Sequence, residues 1–595
     1  MEGLVKEWLR MDKNELTRNE IQKLWETGNK EELERRMRLR IEFGTAGLRG
    51  RMEAGWSRMN DLIIIQASQG LCQYVLSHVK GAASRGVVIG HDHRHNSEHW
   101  AKLTAAAFLA SDVKVYLHRG LVHTPMVPFS VKKLNAACGV MITASHNPKQ
   151  DNGYKVYWEN AVQIIAPHDA GISESIKTNL EPKTWDVASI TSSDLCLDKT
   201  AEMKDAYFES LAPQKISLSA GTAFSVRFVN TSMHGVSEPF VSKAFKLFGL
   251  VPPTHVPEQQ VPDPDFPTVT FPNPEEKGKH LDLAMKTAVK NDINYVLAQD
   301  PDSDRFAAAE RQPTGEWIAF TGDQLGVLFA ARILETYRDS GKPLDKLAMV
   351  ASTVSSKMVE AMGNAEGFKF VECLTGFKYI GNVALNLAQQ GYDVPFGYEE
   401  AIGYMFGPDI RDKDGVAATL VFAQLVESLA ARQKTVNQYL NDLYKNRGKP
   451  NFFQTSNSYF ICSDGPTIDS IFARLRNFSV SDAASDSSNY PTEIAGLSVT
   501  RVVDLTTGYD SANPPSFKPS LPISSGHMVQ FRAEDKEKGV KIALTIRTSG
   551  TEPKIKYYLE GNGYDREIVV STLREVVDEL GDKWLEAKSH NLGRP

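Results

Sequence analysis

The sequence predicts three mixed α/β domains followed by a C-terminal α+β domain. The chain has 595 residues, several times the roughly 150 that a typical domain contains. Through most of its length, short apolar runs alternate with segments of helical periodicity, the pattern of βαβ units with parallel strands. The last quarter instead has three strand-like runs and then one long helix. We therefore place the domains at residues 1–205, 206–325, 326–445 and 446–595.

Hydrophobic periodicity predicts the elements of each domain in turn. In the first domain it predicts helices over 60–80, 98–111 and 124–134 and strands over 86–90, 113–117 and 139–142. In the second it predicts strands over 224–230 and 295–299 and helices over 238–248 and 280–290. In the third it predicts strands over 347–351, 368–372 and 394–396 and helices beginning at 356 and 376. In the fourth it predicts strands over 497–503, 527–532 and 541–546 and a helix over 566–585.

Composition and charge exclude several classes of protein. Hydrophobic residues make up 42% of the chain and charged residues 24%, which is typical of a globular protein. The formal net charge of -6 lacks the basic excess of a nucleic-acid-binding protein. No run approaches the roughly 18 apolar residues of a membrane helix, and the charged N-terminus does not resemble a secretory signal. Five widely spaced cysteines without a C-x-x-C pair favour a reducing compartment. We expect a cytoplasmic protein without nucleic-acid or membrane partners.

The first chemically suggestive segment is I-T-A-S-H-N-P, which follows a predicted buried strand. It places Ser145 at the strand end, beside the imidazole of His146, and an Asn-Pro turn would expose the hydroxyl. Taken alone, the segment is also compatible with a structural Asx or Ser turn. Acyl-transfer chemistry has no support because the chain lacks a G-x-S-x-G elbow.

The second segment, D-P-D-S-D-R, follows the strand predicted over 295–299. Its carboxylates, Asp300, Asp302 and Asp304, alternate along the chain and can point into one pocket. Such a concentration of negative charge favours a bound cation, and Mg²⁺ is the natural ligand. An EF-hand is excluded because Arg305 and Arg311 stand where that motif needs Gly and Glu.

Further segments carry groups suited to sugars and phosphates. Adjacent carboxylates at a strand end, Glu399 and Glu400, suit sugar hydroxyls, and Lys413 on the next loop suits a phosphate. In T-G-F-K, Thr375 and Lys378 offer a hydroxyl and a cation just before a helix, where they can bind an anion or only cap the helix.

Two Gly-containing loops carry arginines. R-T-S-G-T-E-P can form a compact oxyanion cradle, although a plain hairpin turn is an equal alternative. The residues that would form the cradle are Arg547, Ser549, Gly550 and Thr551. F-G-T-A-G-L-R-G brings Arg49. The histidine-rich segment H-D-H-R-H at 91–95 has no downstream partner ligands, so we do not expect a metal there.

Together, T-A-S-H-N-P, D-P-D-S-D-R, G-Y-E-E and R-T-S-G-T-E-P resemble the α-D-phosphohexomutase superfamily in order and spacing over essentially the whole chain. The resemblance implies four domains around one central cleft. It implies that Ser145 is a phosphoserine and, with Asp300, Asp302 and Asp304, a Mg²⁺ ligand. It also implies a substrate-binding set formed by Arg49, Arg305, Thr375, Glu399, Glu400, Lys413, Arg547, Ser549, Gly550, Thr551 and Lys556.

Within the superfamily, the motifs look most like the type-two phosphoglucomutase and phosphopentomutase branch. Ala401 stands where the E-x-S sugar motif has Ser, so one hexose contact is absent and strict glucose specificity is not expected. The resemblance implies interconversion of pentose 1- and 5-phosphates and of glucose 1- and 6-phosphates, with a sugar bisphosphate such as glucose 1,6-bisphosphate as phosphorylating activator. We expect a monomer that binds small sugar phosphates. The catalytic base is His146 or Lys378, and the sequence does not choose between them.

Three alternatives stay open at this point. A glucose-1,6-bisphosphate synthase that uses 1,3-bisphosphoglycerate as phosphoryl donor shares the same motifs. A sugar-phosphate sensor would keep the cradle but would be expected to lose Ser145 or an aspartate, and this chain keeps them. A phosphatase would need a water placed to attack the phosphoserine and would release inorganic phosphate.

Overall fold

The computed structural model divides the chain into two compact units. The larger unit comprises Met1–Val350 and Gly376–Thr435, and the smaller comprises Ala351–Thr375 and Val436–Pro595. The residues that the structure describes are 1–45, 47–212, 224–275, 279–445, 452–462, 464–478, 489–549 and 553–594. Among them, no helix combines the length and the apolar character needed to span a bilayer.

The larger unit begins with helices and a six-stranded mixed sheet. The helices are α1 (Glu2–Met11), α2 (Glu15–Glu26), α3 (Lys30–Met37), α4 (Asp61–His78), α5 (Ala82–Arg85), α6 (Ser97–Leu109), α7 (Met126–Leu134), α8 (His168–Lys177), α9 (Ser189–Ser192) and α10 (Thr200–Ser210). The strands are β1 (Leu48–Arg51), β2 (Val87–His91), β3 (Val115–Leu117), β4 (Cys138–Ile142), β5 (Asp151–Tyr157) and β6 (Cys196–Leu197). The sheet order is β1-β5-β4-β2-β3-β6, with β4, β2, β3 and β6 parallel and β5 antiparallel to its neighbours.

Burial explains why the central strands of this sheet form. Every residue of β2 and β4 is buried, as expected for apolar strands that are covered on both faces. The apolar helix α4 is also largely buried, and the Asn60 side chain caps it by accepting a hydrogen bond from the Ile63 amide at 3.1 Å. These elements support the Ser145 loop, which runs from the end of β4 to the first residue of β5, residues 143–151.

A second sheet has the order β11-β10-β9-β7-β8. Its elements are β7 (Val229–Thr231), α11 (Glu238–Phe248), β8 (Thr254–His255), α12 (Pro257–Gln260), a 3₁₀ turn (Lys279–Leu281), α13 (Asp282–Lys290), β9 (Tyr295–Gln299), β10 (Phe306–Arg311) and β11 (Trp317–Ala319). Strands β7, β8 and β9 are parallel, whereas β10 pairs antiparallel with β9 and with β11. Because Gln299 pairs with Phe306, the six residues between them form the loop of a hairpin.

The chain then runs through both units. The elements in this part are α14 (Gly322–Asp339), a 3₁₀ turn (Leu344–Lys346), β12 (Leu347–Ser352), α15 (Met358–Glu366), β13 (Lys369–Cys373), α16 (Phe377–Gln389), β14 (Asp393–Glu399), β15 (Gly403–Phe406), α17 (Gly415–Ala430) and α18 (Val436–Lys445). Strands β14 and β15 form an antiparallel hairpin in the larger unit, with Glu399 opposite Gly403. Asp414 caps α17, because its side chain accepts hydrogen bonds from two amides of the first turn.

The C-terminal part of the smaller unit is an antiparallel sheet with two long helices. Its elements are β16 (Phe452–Thr455), β17 (Ser458–Ile461), α19 (Gly465–Arg476), β18 (Glu493–Ile494), β19 (Leu497–Asp504), β20 (Tyr509–Asp510), β21 (Met528–Asp535), β22 (Val540–Thr548), β23 (Lys554–Gly563), α20 (Arg566–Glu579) and a π-helical turn (Leu580–Trp584). The main strand order is β16-β23-β22-β21-β19-β18, and side chains of the sheet and of both helices share one hydrophobic core.

The predicted fold class is confirmed, but the prediction of parallel sheets is only half right. The predicted helices and strands occur, with ends displaced by a few residues. Antiparallel strands that were not predicted, among them β5, β10 and β15, interrupt the predicted βαβ alternation. They arise because short loops return the chain directly beside the preceding strand, and a short loop permits only antiparallel pairing. The predicted central cleft stays a prediction.

Candidate active site

Ser145 lies three residues after β4 and its backbone adopts the left-handed conformation, with φ of 54°. The Ser145 amide donates to the Thr143 hydroxyl at 2.9 Å, and the Ser145 hydroxyl donates to Asp300 Oδ2 at 2.9 Å. The expectation of an exposed hydroxyl is wrong, since Ser145 is only 3% exposed. The hydroxyl is therefore aimed at the acidic loop.

The acidic loop is the hairpin turn between β9 and β10. Asp300, Asp302 and Asp304 are all buried, and each contributes a carboxylate oxygen to a cluster whose members lie within 4.8 Å of one another. The Arg305 amide donates to Asp300 Oδ1 at 3.0 Å, closing the loop on itself. The three predicted carboxylates thus share one position with the predicted nucleophile.

A buried lysine that the sequence analysis did not identify holds two of these carboxylates. Lys155 Nζ, on β5, donates to Asp302 Oδ2 at 2.7 Å and to Asp304 Oδ2 at 2.9 Å. The Thr124 hydroxyl also donates to Asp302 Oδ2, at 2.6 Å. Both residues come from segments far away in the sequence, so their role is visible only in the folded chain.

The charges and the unpaired oxygens of the acidic triad favour a bound cation. Burial and the neighbouring carboxylates of Asp302 and Asp304 raise the pKa of Asp300. Burial alone would also raise the pKa of Asp302, but the Lys155 ammonium and the Thr124 hydroxyl outweigh it and lower that pKa. Within the described residues, Asp302 Oδ1 and Asp304 Oδ1 are buried without a hydrogen-bond partner. A buried cluster with unsatisfied carboxylate oxygens fits an oxygen-seeking divalent cation such as Mg²⁺.

Lys413 and Glu399 lie beside the same cluster. Lys413 Nζ is 3.5 Å from Asp304 Oδ2 and 3.6 Å from Asp412 Oδ1. Burial disfavours the charged ammonium, but the carboxylates of Asp304, Asp412 and Glu399 outweigh it and raise the pKa of Lys413. Burial raises the pKa of Glu399 to about 7, with a further contribution from Glu400, which is also buried. The predicted sugar-binding and metal-binding residues are thus electrostatically linked.

A glycine allows this arrangement. Gly415 donates its amide to the Ser303 carbonyl at 3.0 Å, and a Cβ atom at this position would lie 2.3 Å from the Arg305 carbonyl oxygen. Any side chain would therefore separate the start of α17 from the acidic loop. This close approach explains why the last residue of D-K-D-G is a glycine.

Three other predicted residues differ in how closely they approach the nucleophile: His146 contacts it, Arg49 contacts the same loop, and Lys378 contacts Thr45. His146 Nδ1 lies 3.3 Å from Ser145 Oγ, and burial together with the nearby guanidinium groups of Arg305 and Arg49 lowers the pKa of His146. Arg49, on β1, donates to Asn147 Oδ1 at 3.3 Å. Lys378 donates to the Thr45 hydroxyl, and burial lowers the pKa of Lys378.

The remaining predicted residues belong to the smaller unit. Arg547, on β22, donates to the Tyr558 hydroxyl at 2.8 Å and to the Thr548 carbonyl at 3.3 Å, while its Nε has no hydrogen-bond partner among the described residues. Lys556 is directly opposite Arg547 on β23, and the Ser549 amide donates to the Lys554 carbonyl. Thr375 is half-buried just after β13. Gly550 and Thr551 lie outside the described residues.

Comparison with known proteins places the chain in a family of phosphosugar mutases. Residues 40–183, 205–315 and 321–447 match α/β/α domains I, II and III of phosphoglucomutase/phosphomannomutase, respectively. The chain belongs to the phosphoglucomutase/phosphomannomutase family.

Full-length relatives narrow the comparison further. The chain is 44% identical to phosphopentomutase of Homo sapiens, over 98% of this chain and 96% of the relative. It is 42% identical to phosphoribomutase of Saccharomyces cerevisiae, with coverage of 98% and 96%. It is 41% identical to glucose 1,6-bisphosphate synthase of Homo sapiens, with coverage of 100% and 95%. The crystal structure of parafusin, a phosphoglucomutase from Paramecium, shares the fold at 18% identity, with a TM-score of 0.62 and coverage of 92% and 95%.

Proposed function

We propose that this protein is a phosphopentomutase. It interconverts the 1- and 5-phosphates of ribose and deoxyribose, and also glucose 1- and 6-phosphates, through a phosphoserine and a sugar bisphosphate intermediate. The observation that carries the proposal is the position of the buried Ser145 hydroxyl. Ser145 has a left-handed backbone conformation, and its hydroxyl donates to Asp300 Oδ2 at 2.9 Å. A nucleophilic hydroxyl beside a cation site is the arrangement that phosphoryl transfer requires.

The fixed charges of the site suit the transfer of a phosphoryl group. Phosphoryl groups repel nucleophiles, so their transfer depends on positioning and on positive charge at the reacting oxygens. Asp300, Asp302, Asp304 and Ser145 would hold Mg²⁺, which supplies that charge when bound. Lys155 binds the Oδ2 atoms of two of the aspartates, so the Oδ1 atoms remain available for the cation.

The reaction then runs in two transfers. In the first, the bond between phosphorus and Ser145 Oγ breaks, and a new bond forms to the free hydroxyl of a sugar monophosphate, whose proton passes to a base. In the second, the other phosphate of the resulting bisphosphate returns to Ser145 and the second monophosphate leaves. Because the sugar presents each end in turn, the groups that hold its non-reacting phosphate must accept either one. Arg547 and Ser549, with Lys556, have the chemistry for that role.

Of the two candidate bases, His146 is the one in contact with the nucleophile. Its Nδ1 lies 3.3 Å from Ser145 Oγ, and its lowered pKa keeps the ring neutral near pH 7 and able to accept a proton. Lys378 contacts Thr45 instead, and burial lowers its pKa. We assign the Ser145 proton to His146 and keep Lys378 as the candidate for the sugar hydroxyl.

A specific observation also favours a second function, glucose-1,6-bisphosphate synthesis from 1,3-bisphosphoglycerate, because a synthase of that name is 41% identical over the whole chain. The pentomutase assignment is favoured by the 44% identity to a phosphopentomutase and by Ala401. Ala401 lies in the turn between β14 and β15, two residues after Glu399, and offers no side-chain hydroxyl to a hexose.

The proposal includes organisation and location. We propose four domains with boundaries near 205, 325 and 445, in a monomer that works in the cytoplasm. The three matched domain segments support the first of these points, and five widely spaced cysteines without a C-x-x-C pair support a reducing compartment.

The test is a substrate panel with purified protein in Mg²⁺. Ribose 1-phosphate, deoxyribose 1-phosphate and glucose 1-phosphate are each supplied with trace glucose 1,6-bisphosphate, or with 1,3-bisphosphoglycerate, and products and inorganic phosphate are measured. We expect kcat/KM for the pentose phosphates to equal or exceed that for glucose 1-phosphate, without release of phosphate. Efficient glucose 1,6-bisphosphate formation that depends on 1,3-bisphosphoglycerate, with weak mutase activity, would favour the synthase. Steady release of phosphate would indicate a phosphatase.

A further inference from the structure

One buried arginine binds the backbone of the Ser145 loop at four points. Arg94 follows β2 by three residues, and its side chain is 0% exposed. Its two terminal nitrogens donate to four carbonyl oxygens, those of Ser145 at 2.6 Å, Asn147 at 2.6 Å, Pro148 at 2.9 Å and Asp151 at 3.2 Å. All four N–H groups at the end of the guanidinium are therefore used by one loop.

The arginine is itself held in place. Asp92 Oδ1 accepts hydrogen bonds from the Arg94 amide at 3.0 Å and from the Ser97 hydroxyl at 2.6 Å. Asp92 Oδ2 lies 3.5 Å from Arg94 Nε, and the Phe266 ring covers the guanidinium with its centroid 5.0 Å away. Residues outside the Ser145 loop therefore also hold Arg94 in place.

The Ser145 loop needs such a partner. A serine with positive φ is in a conformation that L-residues rarely adopt, and surrounding contacts must hold it there. Carbonyl groups that turn inward must also find donors, because a buried carbonyl without one is costly. A planar guanidinium can serve four of them at fixed angles, whereas the three donors of a lysine ammonium cannot reproduce that geometry.

We propose that Arg94 is a positioning residue for phosphoryl transfer, and that it orients the Ser145 hydroxyl toward Asp300 by fixing the carbonyl groups of the loop. This inference rests on the proposed function. It also gives the R of the H-D-H-R-H segment a role that is not metal binding. Arg94 binds the Ser145 loop through backbone carbonyl groups and is not one of the proposed substrate-binding residues, so its loss should affect the transfer step more than substrate binding.

The chain offers a matched control in Arg85. This arginine lies in the same part of the larger unit and likewise donates to backbone carbonyl groups, those of Asn135 at 3.0 Å and Ala136 at 3.2 Å. It also pairs with Glu159 at 2.6 Å. Arg85→Lys therefore disrupts the same kind of contact away from the Ser145 loop.

The experiment compares wild type, Arg94→Lys and Arg85→Lys. For each protein we would measure the single-turnover rate of phosphoryl transfer from phosphorylated Ser145 to ribose 1-phosphate, the equilibrium binding of ribose 5-phosphate, and the melting temperature. We expect Arg94→Lys to slow transfer about 100-fold, because small misplacement of a reacting group has effects of that size. Binding of ribose 5-phosphate should change less than about threefold, and Arg85→Lys should leave transfer near the wild-type rate.

The following results would overturn the inference or the proposed function. A transfer rate of Arg94→Lys within about threefold of wild type would overturn the inference. So would a loss of ribose 5-phosphate binding in Arg94→Lys as large as its loss of transfer rate. A loss of transfer rate in Arg85→Lys equal to that in Arg94→Lys would also overturn it. If Arg94→Lys does not fold, Asp92→Asn replaces it. That variant weakens the hold on Arg94, so it should slow transfer about tenfold with binding preserved, and a wild-type rate would overturn the inference. A wild type that shows no phosphoserine would refute the proposed function and with it this inference, whereas normal transfer in Arg94→Lys would overturn this inference alone.

Discussion

Two regions of the molecule carry the predicted phosphate chemistry, and they differ in how fully the protein binds their charged groups. Around the acidic triad of the larger unit, Lys155 and Lys413 have side chains only 9% exposed and lie within 3.5 Å of the carboxylates. In the smaller unit, the half-buried Arg547 contacts neutral groups, a tyrosine hydroxyl and a backbone carbonyl. In the first region, buried lysines of the protein bind the carboxylates, whereas in the second the guanidinium of Arg547 contacts neutral groups.

This difference suggests a division of labour. A buried, internally bound set of charges cannot reorganise cheaply, so it suits a reaction step whose electrostatics must be in place beforehand. A half-buried cation that contacts neutral partners can exchange them for a ligand phosphate at little cost. We therefore expect substitutions in the first region to lower kcat and substitutions in the second to raise KM.

Among the substitutions that compare the two regions, the largest effect is expected for Asp302→Asn. This change removes a charge from the candidate cation site and the main partner of Lys155, so kcat should fall about 10³-fold while KM changes little. Steady-state kinetics over a range of Mg²⁺ concentrations measure it. Asp393→Asn is the control, since Asp393 is at the opposite end of β14 from Glu399 and binds Tyr337 and Lys342. Full activity of Asp302→Asn in Mg²⁺ would remove the metal assignment.

A smaller effect, on KM rather than on kcat, is expected for Arg547→Lys. The charge remains but the two-pronged geometry is lost, which removes roughly 1.5 kcal/mol of binding and should raise KM about tenfold. The rise should be similar for ribose 1-phosphate and ribose 5-phosphate, because the group would bind either end of the substrate. Arg474→Lys, which alters donors to the Lys583 and Trp584 carbonyl groups, is the control in the same unit. A loss confined to kcat would contradict the division of labour.

The smallest effect is expected for Ala401→Ser. A new hydroxyl contact to a hexose contributes about 0.5 to 1.5 kcal/mol, so the ratio of kcat/KM for glucose 1-phosphate over ribose 1-phosphate should rise several-fold to about tenfold. Ala401→Cys, similar in size to serine but a weak hydrogen-bond donor, should leave the ratio nearly unchanged. Equal changes in both variants would show that size, not the hydroxyl, controls specificity.

The two regions also show what the sequence could predict. Ser145 and the three aspartates each belong to a short motif after an apolar strand, so local pattern was enough to identify them. Lys155 is separated from Asp302 by 147 positions, and its contact exists only because β5 turns back antiparallel beside β4. The turn-forming residues N-P-K-Q, at 147–150, were the available signal that a strand follows directly. Arg94 was missed for a related reason, since its partners are backbone carbonyl groups that no side-chain pattern reveals.

The most direct test of the account follows a labelled phosphoryl group through Ser145. Wild-type protein is incubated with glucose 1,6-bisphosphate carrying labelled phosphate, mapped by peptide mass, and then mixed rapidly with ribose 1-phosphate. The account predicts one label per chain, on the peptide that contains Ser145, discharged to the sugar at least as fast as kcat. In Ser145→Ala it predicts no label and a loss of mutase activity of at least about 10⁴-fold. Label on another residue, discharge slower than turnover, or near-normal activity of Ser145→Ala would contradict it.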